Sequence, residues 1–216
     1  MITKYGYDVF FTITGICVIT VVLALVFIEP RVIRYSVALV ALVLFGFTLN
    51  FFRDPDRKTP SGDGIVVSPA DGRVVLIKPV EEQEFIKGPA IQVSIFMSPL
   101  NVHVNRVPLS GSVAYYRYVP GEYFAAFEDK ASEKNEQTHI GIEGKGGKVL
   151  FKQIAGFVAR RIVCTLKPGD HVTAGKRFGM IKFGSRVDVL LPQGTVPRVA
   201  VGEQAVAGET ILAQFP

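Results

Sequence analysis

Two long apolar runs open the chain, and short alternating segments fill the rest. From Tyr7 to Ile28 the only charge is Asp8, and Phe10 to Ile28 is dominated by apolar residues. A polar break, Glu29-Pro30-Arg31, follows, and Tyr35 to Phe52 is again almost free of charge. Each run approaches the ~20 residues that span ~30 Å of hydrocarbon as a helix. The pattern predicts a membrane-anchoring helical hairpin over residues 1–52, turning at Pro30. A cleaved signal peptide is the alternative for the first run. The length of that run and the lack of a small-x-small site before the second weigh against it.

After Phe52 the texture changes. Residues 53–60, Arg53 to Pro60, form a polar, proline-bounded linker of extended character. Beyond it, over 61–216, glycine punctuates β-branched or alternating runs: Gly64 to Val67, Arg73 to Ile77, Ile91 to Phe96, Ser112 to Tyr116 and Arg161 to Leu166. No amphipathic helical period appears, so this part is predicted to be an all-β, barrel-sandwich-like domain. Gly144-Lys145-Gly146-Gly147-Lys148 reads as a hairpin turn, because it lacks the spacing and the strand-to-helix setting of a phosphate loop. The segment from Gly169 to Gly175 is echoed by Gly202 to Gly208, with glycines six apart in both. A strand, a turn and a returning strand fit that spacing.

Charge adds an orientation and a surface. Lys4, Arg53, Arg57 and Lys58 flank the outer ends of the two apolar runs, against Arg31 and Arg34 in the connection. By the positive-inside rule this places both ends, and the β domain, on the cytoplasmic side of the cell's plasma (inner) membrane. Most of the net charge of +5 falls outside residues 1–52, and a mildly basic domain held at a bilayer suits anionic lipid. Nucleic acid is excluded as the partner, since no basic run with interleaved aromatics is present. The pattern leaves homo-oligomer formation open.

Candidate chemistry is sparse enough to weigh residue by residue. Of the three histidines, His103 stands where an apolar strand emerges into a polar run, a good place for a general base. His139 reads as a solvated loop or strand edge, and His171 as an exposed turn residue. Asp71 sits in an Asp-Gly pair, which is ordinary turn chemistry. Arg160 and Arg161 could hold a phosphate or carboxylate by a two-pronged contact, or form a solvated edge. Cys17 and Cys164 read as buried thiols, and no residue set has the spacing of a metal site. The remaining feature is Gly184-Ser185, set in strand-like sequence. Gly184 leaves its carbonyl carbon open, and the Ser185 hydroxyl could attack it. Such a bond can pass from amide to ester, eliminate to a dehydroalanine and hydrolyse to a pyruvoyl group. A plain Gly-Ser turn is the competing reading.

Taken in order, several segments resemble the phosphatidylserine decarboxylase family in its short bacterial and archaeal branch. They are Phe52-Arg53-Asp54-Pro55, Ser68-Pro69-Ala70-Asp71-Gly72, Ser98-Pro99 through His103 to Pro108, and Tyr118-Val119-Pro120-Gly121. Asn135-Glu136, Gln153 to Arg161, and Phe183-Gly184-Ser185-Arg186-Val187-Asp188 complete the set. The resemblance implies self-cleavage between Gly184 and Ser185 into a large chain, 1–184, and a small chain, 185–216. Ser185 would become a covalent pyruvoyl cofactor, with no metal. The serine amine of a membrane phosphatidylserine would condense with it as an imine, lose carbon dioxide and leave as phosphatidylethanolamine. Asp71 matches an acidic residue that assists maturation, by orienting a histidine as in a Ser-His-Asp arrangement, and His103 matches a family histidine. Longer members carry a second histidine where this chain has Arg106.

Three other readings compete. Glu128-Asp129-Lys130-Ala131 is similar to the tip on which lipoyl domains carry their cofactor, although a polar run follows Lys130 where an apolar strand should return. A serine hydrolase would want a Gly-x-Ser-x-Gly elbow, which Arg186-Val187 breaks. A non-catalytic membrane scaffold would remain one intact chain.

Overall fold

The computed structural model describes residues 1–121, 135–156, 161–182 and 185–215. These divide into two compact units, Met1–Pro55 and Asp56–Pro216. In the first unit a short 3-10 turn, Lys4–Gly6, leads into helix α1, Tyr7–Phe27, and helix α2, Arg31–Phe51. Both are long and apolar enough to cross a membrane. Their outward faces are apolar too: Phe11, Ile19, Val26, Val40 and Leu42 are all more than half exposed. Soluble domains rarely display so continuous an apolar surface, which favours membrane association. The hairpin closes at its open end, where the Thr3 N–H donates to the Phe52 carbonyl (2.9 Å) and the Asp54 N–H to the Met1 carbonyl (2.7 Å). Phe10, Phe51 and Phe52 stack edge to face beneath that seam. Arg31 and Arg34 begin α2 instead of lying in a loop, and the Arg34 Nε donates to the Ile28 carbonyl across the turn.

Among the described residues the second unit has fourteen strands, and their pairings are antiparallel. They are β1 (Ile65–Val67), β2 (Gly72–Glu82), β3 (Gly88–Met97), β4 (Val104–Arg106), β5 (Gly111–Val119), β6 (Gln137–Gly144), β7 (Gly147–Ala155) and β8 (Ile162–Cys164). They continue as β9 (His171–Val172), β10 (Arg177–Ile181), β11 (Ser185–Pro192), β12 (Val196–Pro197), β13 (Gln204–Ala205) and β14 (Ile211–Gln214). Eight form one curled sheet in the order β13-β2-β3-β11-β7-β6-β5-β9. Two three-stranded sheets, β4-β10-β8 and β1-β14-β12, complete the half-barrel. The large sheet bends where its register slips, between Val74 and Leu76 on β2 and between Val113 and Tyr115 on β5. The predicted turn at Gly144–Lys148 is a tight hairpin between β6 and β7, with Gly146 at φ 100°.

The glycine echo has a structural meaning. Gly169, Gly175, Gly202 and Gly208 all have positive φ, which only glycine adopts without strain. The two segments they bracket supply β9 and β13, the two edge strands of the large sheet. Between the sheets lies one apolar core that includes Val93, Ile95, Phe151, Phe178, Val187 and Val189. The Phe151 and Phe178 rings meet edge-on at 5.3 Å and join the large sheet to β10.

Candidate active site

Three chain crossings meet at one corner of this fold. Strand β3 ends at Met97 in the large sheet, and the chain re-enters the small sheet at Val104 in β4. Strand β7 ends at Ala155, and β8 begins at Ile162. Strand β10 ends at Ile181 in the small sheet, and β11 begins at Ser185 in the large one. Register ties the three together. Ser185 lies between Met97 on β3 and Ala155 on β7, while Ile181 pairs with Ile162 and donates its N–H to the His103 carbonyl (3.4 Å). The Gly184–Ser185 bond therefore falls where the chain passes from the small sheet to the large one. Gly184 itself lies outside the described residues, as do Arg160 and Lys130.

Ser185 is fully buried, and its hydroxyl donates to the Met97 sulfur at 3.2 Å. A thioether is a weak acceptor, so this contact restrains the hydroxyl only lightly. His103 is also fully buried. Its Nδ1 lies 2.9 Å from the Asn101 carbonyl, which can only accept, so Nδ1 carries the proton. In the neutral ring Nε2 is then the basic nitrogen. Asp71 stands one residue before β2 at the same end of the large sheet. Gly72 follows it because a Cβ there would collide with the Phe96 carbonyl oxygen. The Asp71 carboxylate accepts from Arg57 Nη2 and from the Ala207 N–H, each at 2.7 Å. Neither partner is a histidine. Arg161 is exposed, and its carbonyl accepts the Lys182 N–H.

Sequence reasoning gave no role to several polar groups around Ser185. Gln153 Nε2 donates to Asn105 Oδ1 (2.9 Å), and Asn105 Nδ2 donates to the Pro69 carbonyl (3.3 Å). All lie in the core. The signal was present in Val149 to Ala155: a period of two places Gln153 on the same face as Val149 and Phe151. On the opposite face of the large sheet, directly behind Ser185, Arg186 Nε donates to Asp188 Oδ1 (2.6 Å) and Arg186 Nη2 to Ser94 Oγ (2.7 Å). Gln92 Nε2 reaches Asp188 Oδ2 at 3.0 Å.

His139 is buried rather than solvated, because the β2–β3 hairpin folds over it. Glu84 from that hairpin accepts from His139 Nδ1 (2.9 Å), Tyr115 Oη (2.9 Å) and Arg117 Nη1 (2.6 Å). Burial holds the His139 imidazole below its ordinary range, against the upward pull of Glu84. For Glu84, burial pushes upward, but the hydrogen bonds from His139 and Tyr115 outweigh it and leave the carboxyl below its usual range. On acidification the unfolded chain therefore binds the histidine proton first, below pH 6.5, and folded stability falls. The Glu84 contribution is lost later, below pH 4.5 and on through its lowered folded value. We expect the melting temperature to drop by a few degrees between pH 7.5 and 5.5, and His139→Gln to flatten that slope. An unchanged slope in the variant would assign the effect elsewhere. Burial pushes the Cys164 thiol up to about 11, which keeps it protonated and unreactive at neutral pH. Among the described residues no cluster of His, Cys, Asp or Glu could hold a metal ion.

A family model described as phosphatidylserine decarboxylase matches residues 44–213. The phosphatidylserine decarboxylase proenzyme of Chlorobium chlorochromatii is 50% identical over 216 residues, the whole of both chains. That of Chlorobium luteolum is 46% identical over 216 residues, again all of both. That of Chlorobaculum parvum is 47% identical over 186 residues, 86% of each.

Proposed function

The chain belongs to the phosphatidylserine decarboxylase family, and from that premise we propose that it converts phosphatidylserine to phosphatidylethanolamine with a pyruvoyl group made from its own Ser185. The observation that carries the reading is the place of Ser185: fully buried and first in a central strand of the large sheet, just after the chain leaves the small one. Its hydroxyl adds to the Gly184 carbonyl carbon, and the amide becomes an ester as the nitrogen takes up a proton. Removal of the Ser185 Cα proton then expels the Gly184 carboxylate. The dehydroalanine left behind takes up water and releases ammonia. His103 serves as the base, since its Nδ1–H is committed to Asn101 and its other nitrogen is left basic. Asp71, tied to Arg57 and to the Ala207 amide, fixes the turn that packs its Pro69 carbonyl on Asn105 and Arg106.

The residues present suit a pyruvoyl group. A carbonyl at position 185 would face Met97 and Ala155, and neither is a nucleophile that could consume it. Such a group supplies an electron sink for the pair left behind by a departing carboxylate. The chain's own part is to bury the reacting centre, because exclusion of water strips the carboxylate of hydration and favours its loss. The two apolar helices hold the domain at the bilayer that contains its substrate, on the cytoplasmic side of the cell membrane. Arg160 and Arg161 are candidates for the anionic part of the headgroup.

Intact mass under denaturing conditions tests this reading. The expected result is two species split at 184/185, with the small one blocked to N-terminal sequencing. A single chain near 23.6 kDa that still decarboxylates phosphatidylserine would overturn it.

A further inference from the structure

The row of residues that crosses the large sheet at Ser185 continues past Ala155. The Ala155 N–H donates to the Glu136 carbonyl (2.9 Å), and Asn135 Nδ2 donates to the Ala155 carbonyl (2.6 Å). Glu136 thus stands opposite Ala155, as Ala155 stands opposite Ser185. Facing residues of antiparallel strands share a face, so the Glu136 side chain lies on the Ser185 side. Its hydrogen bond to Tyr118 Oη (3.1 Å) agrees, because Tyr118 pairs with Thr138, two residues along the same face. Only the small side chain of Ala155 intervenes.

Glu136 is 7% exposed. Tyr118 occupies Oε1, whereas Oε2 is buried with no hydrogen-bond partner among the described residues. Gln153, two residues before Ala155 and fully buried, repeats the pattern. Its Nε2 donates to two acceptors, Asn105 Oδ1 and the Val163 carbonyl, which fixes the amide orientation. Its Oε1 is buried without a hydrogen-bond partner among the described residues. A buried acceptor left unsatisfied is costly, more so when it belongs to a carboxylate. Here two of them flank the residue beside Ser185. By strand spacing the Glu136 Cα is roughly 10 Å from that of Ser185. The Gln153 Cα lies on the diagonal, roughly 7–8 Å away.

We propose that Glu136 and Gln153 form the subsite that receives the ammonium group of the lipid headgroup, an inference that rests on the decarboxylase reading above. A primary ammonium offers three donors and a positive charge, which is the complement of two acceptors and one negative charge. The same pair repels a carboxylate or a phosphate, so those groups of the headgroup are held elsewhere. The subsite therefore selects headgroups that bear an amine over those that bear only hydroxyls.

The uncut Ser185→Ala chain, in detergent micelles, provides the test without any reaction. It is titrated with short-chain phosphatidylethanolamine and, separately, with phosphatidylglycerol of the same chain length. The expected result is a preference for the amine lipid of roughly 10-fold or more, the size of one charge-assisted hydrogen bond. Adding Glu136→Gln keeps the side-chain shape and an acceptor for Tyr118 while removing the charge. It is expected to cut that preference to about twofold or less. Gln153→Met, similar in volume, should lower it severalfold. No preference in the Ser185→Ala chain, or an undiminished one after Glu136→Gln, would overturn the subsite. Splitting and decarboxylation by the unaltered protein are scored alongside. If both occur while the preference fails, the subsite alone is wrong; if neither occurs, the enzyme reading fails first.

Discussion

Ser185→Ala is expected to yield a single uncut chain with no decarboxylation above background, and to fold normally while doing so. The structure separates these two outcomes. The Ser185 hydroxyl contributes to folding through its contact with the Met97 sulfur, and losing a weak hydrogen bond of that kind costs about 1 kcal/mol or less. The strand that carries it is held by β3 on one side and β7 on the other through backbone bonds that alanine keeps. The chemistry, by contrast, has no substitute for the hydroxyl. It is both the group that attacks Gly184 and the atom from which the reactive carbonyl is made. Gel and mass analysis would show one band, and circular dichroism would show the unaltered β signature. His103→Gln is the companion variant. It leaves the nucleophile and removes the base, so splitting should slow by roughly 10²-fold or more without being abolished. A Ser185→Ala protein that still splits, or that is active uncut, would dispose of the mechanism.

Arg186→Leu carries the largest expected effect on stability. Arg186 and Asp188 are each about 2% exposed and lean on Ser94 and Gln92, so removal of the guanidinium takes a cationic partner from a buried carboxylate. Breaking such a pair from one side typically costs about 3–5 kcal/mol. In a domain of this size that is a melting temperature lower by roughly 10 °C. Replacing both partners, as Arg186→Leu with Asp188→Leu, should recover most of the loss, since two apolar side chains leave no uncompensated charge. The comparison is made in the Ser185→Ala background, where every molecule is one chain. If the double variant is no more stable than the single one, the ion pair is not the source of the loss.

Much of this architecture was legible from spacing alone. The helical hairpin follows from two uncharged runs, and the tight turn at Gly146 from its glycines. The repeated six-residue glycine interval marked two segments that prove to be the opposite edges of one sheet. Strands β6 and β7 were harder to read, because buried polar residues interrupt their apolar alternation. Gln137, His139 and Gln153 sit where a hydrophobic residue would have announced a strand. Some of their partners are distant in sequence, as when Glu84 reaches His139 across the folded β2–β3 hairpin, and no local pattern encodes that pairing. The same holds for the corner itself. Met97, Ala155 and Ser185 are brought together by register, a long-range property. Glu136 and Gln153 could be quoted as part of a motif yet had no role until the sheet placed them beside Ser185.

The position of β11 carries one more consequence. A cut between Gly184 and Ser185 would leave residues 185–216 threaded through the domain, with β11 between β3 and β7, β13 against β2 and β14 against β1. Nothing in that arrangement needs the severed peptide bond to stay assembled, so the matured molecule keeps its shape. What it loses is the way back. The precursor folds as one tethered chain, at a rate independent of concentration. Two fragments released by heat or denaturant would have to find each other by diffusion and reinsert a central strand into a sheet that had formed without it. Maturation would thus convert a reversible fold into an object assembled once, whose lifetime is set by how rarely it opens.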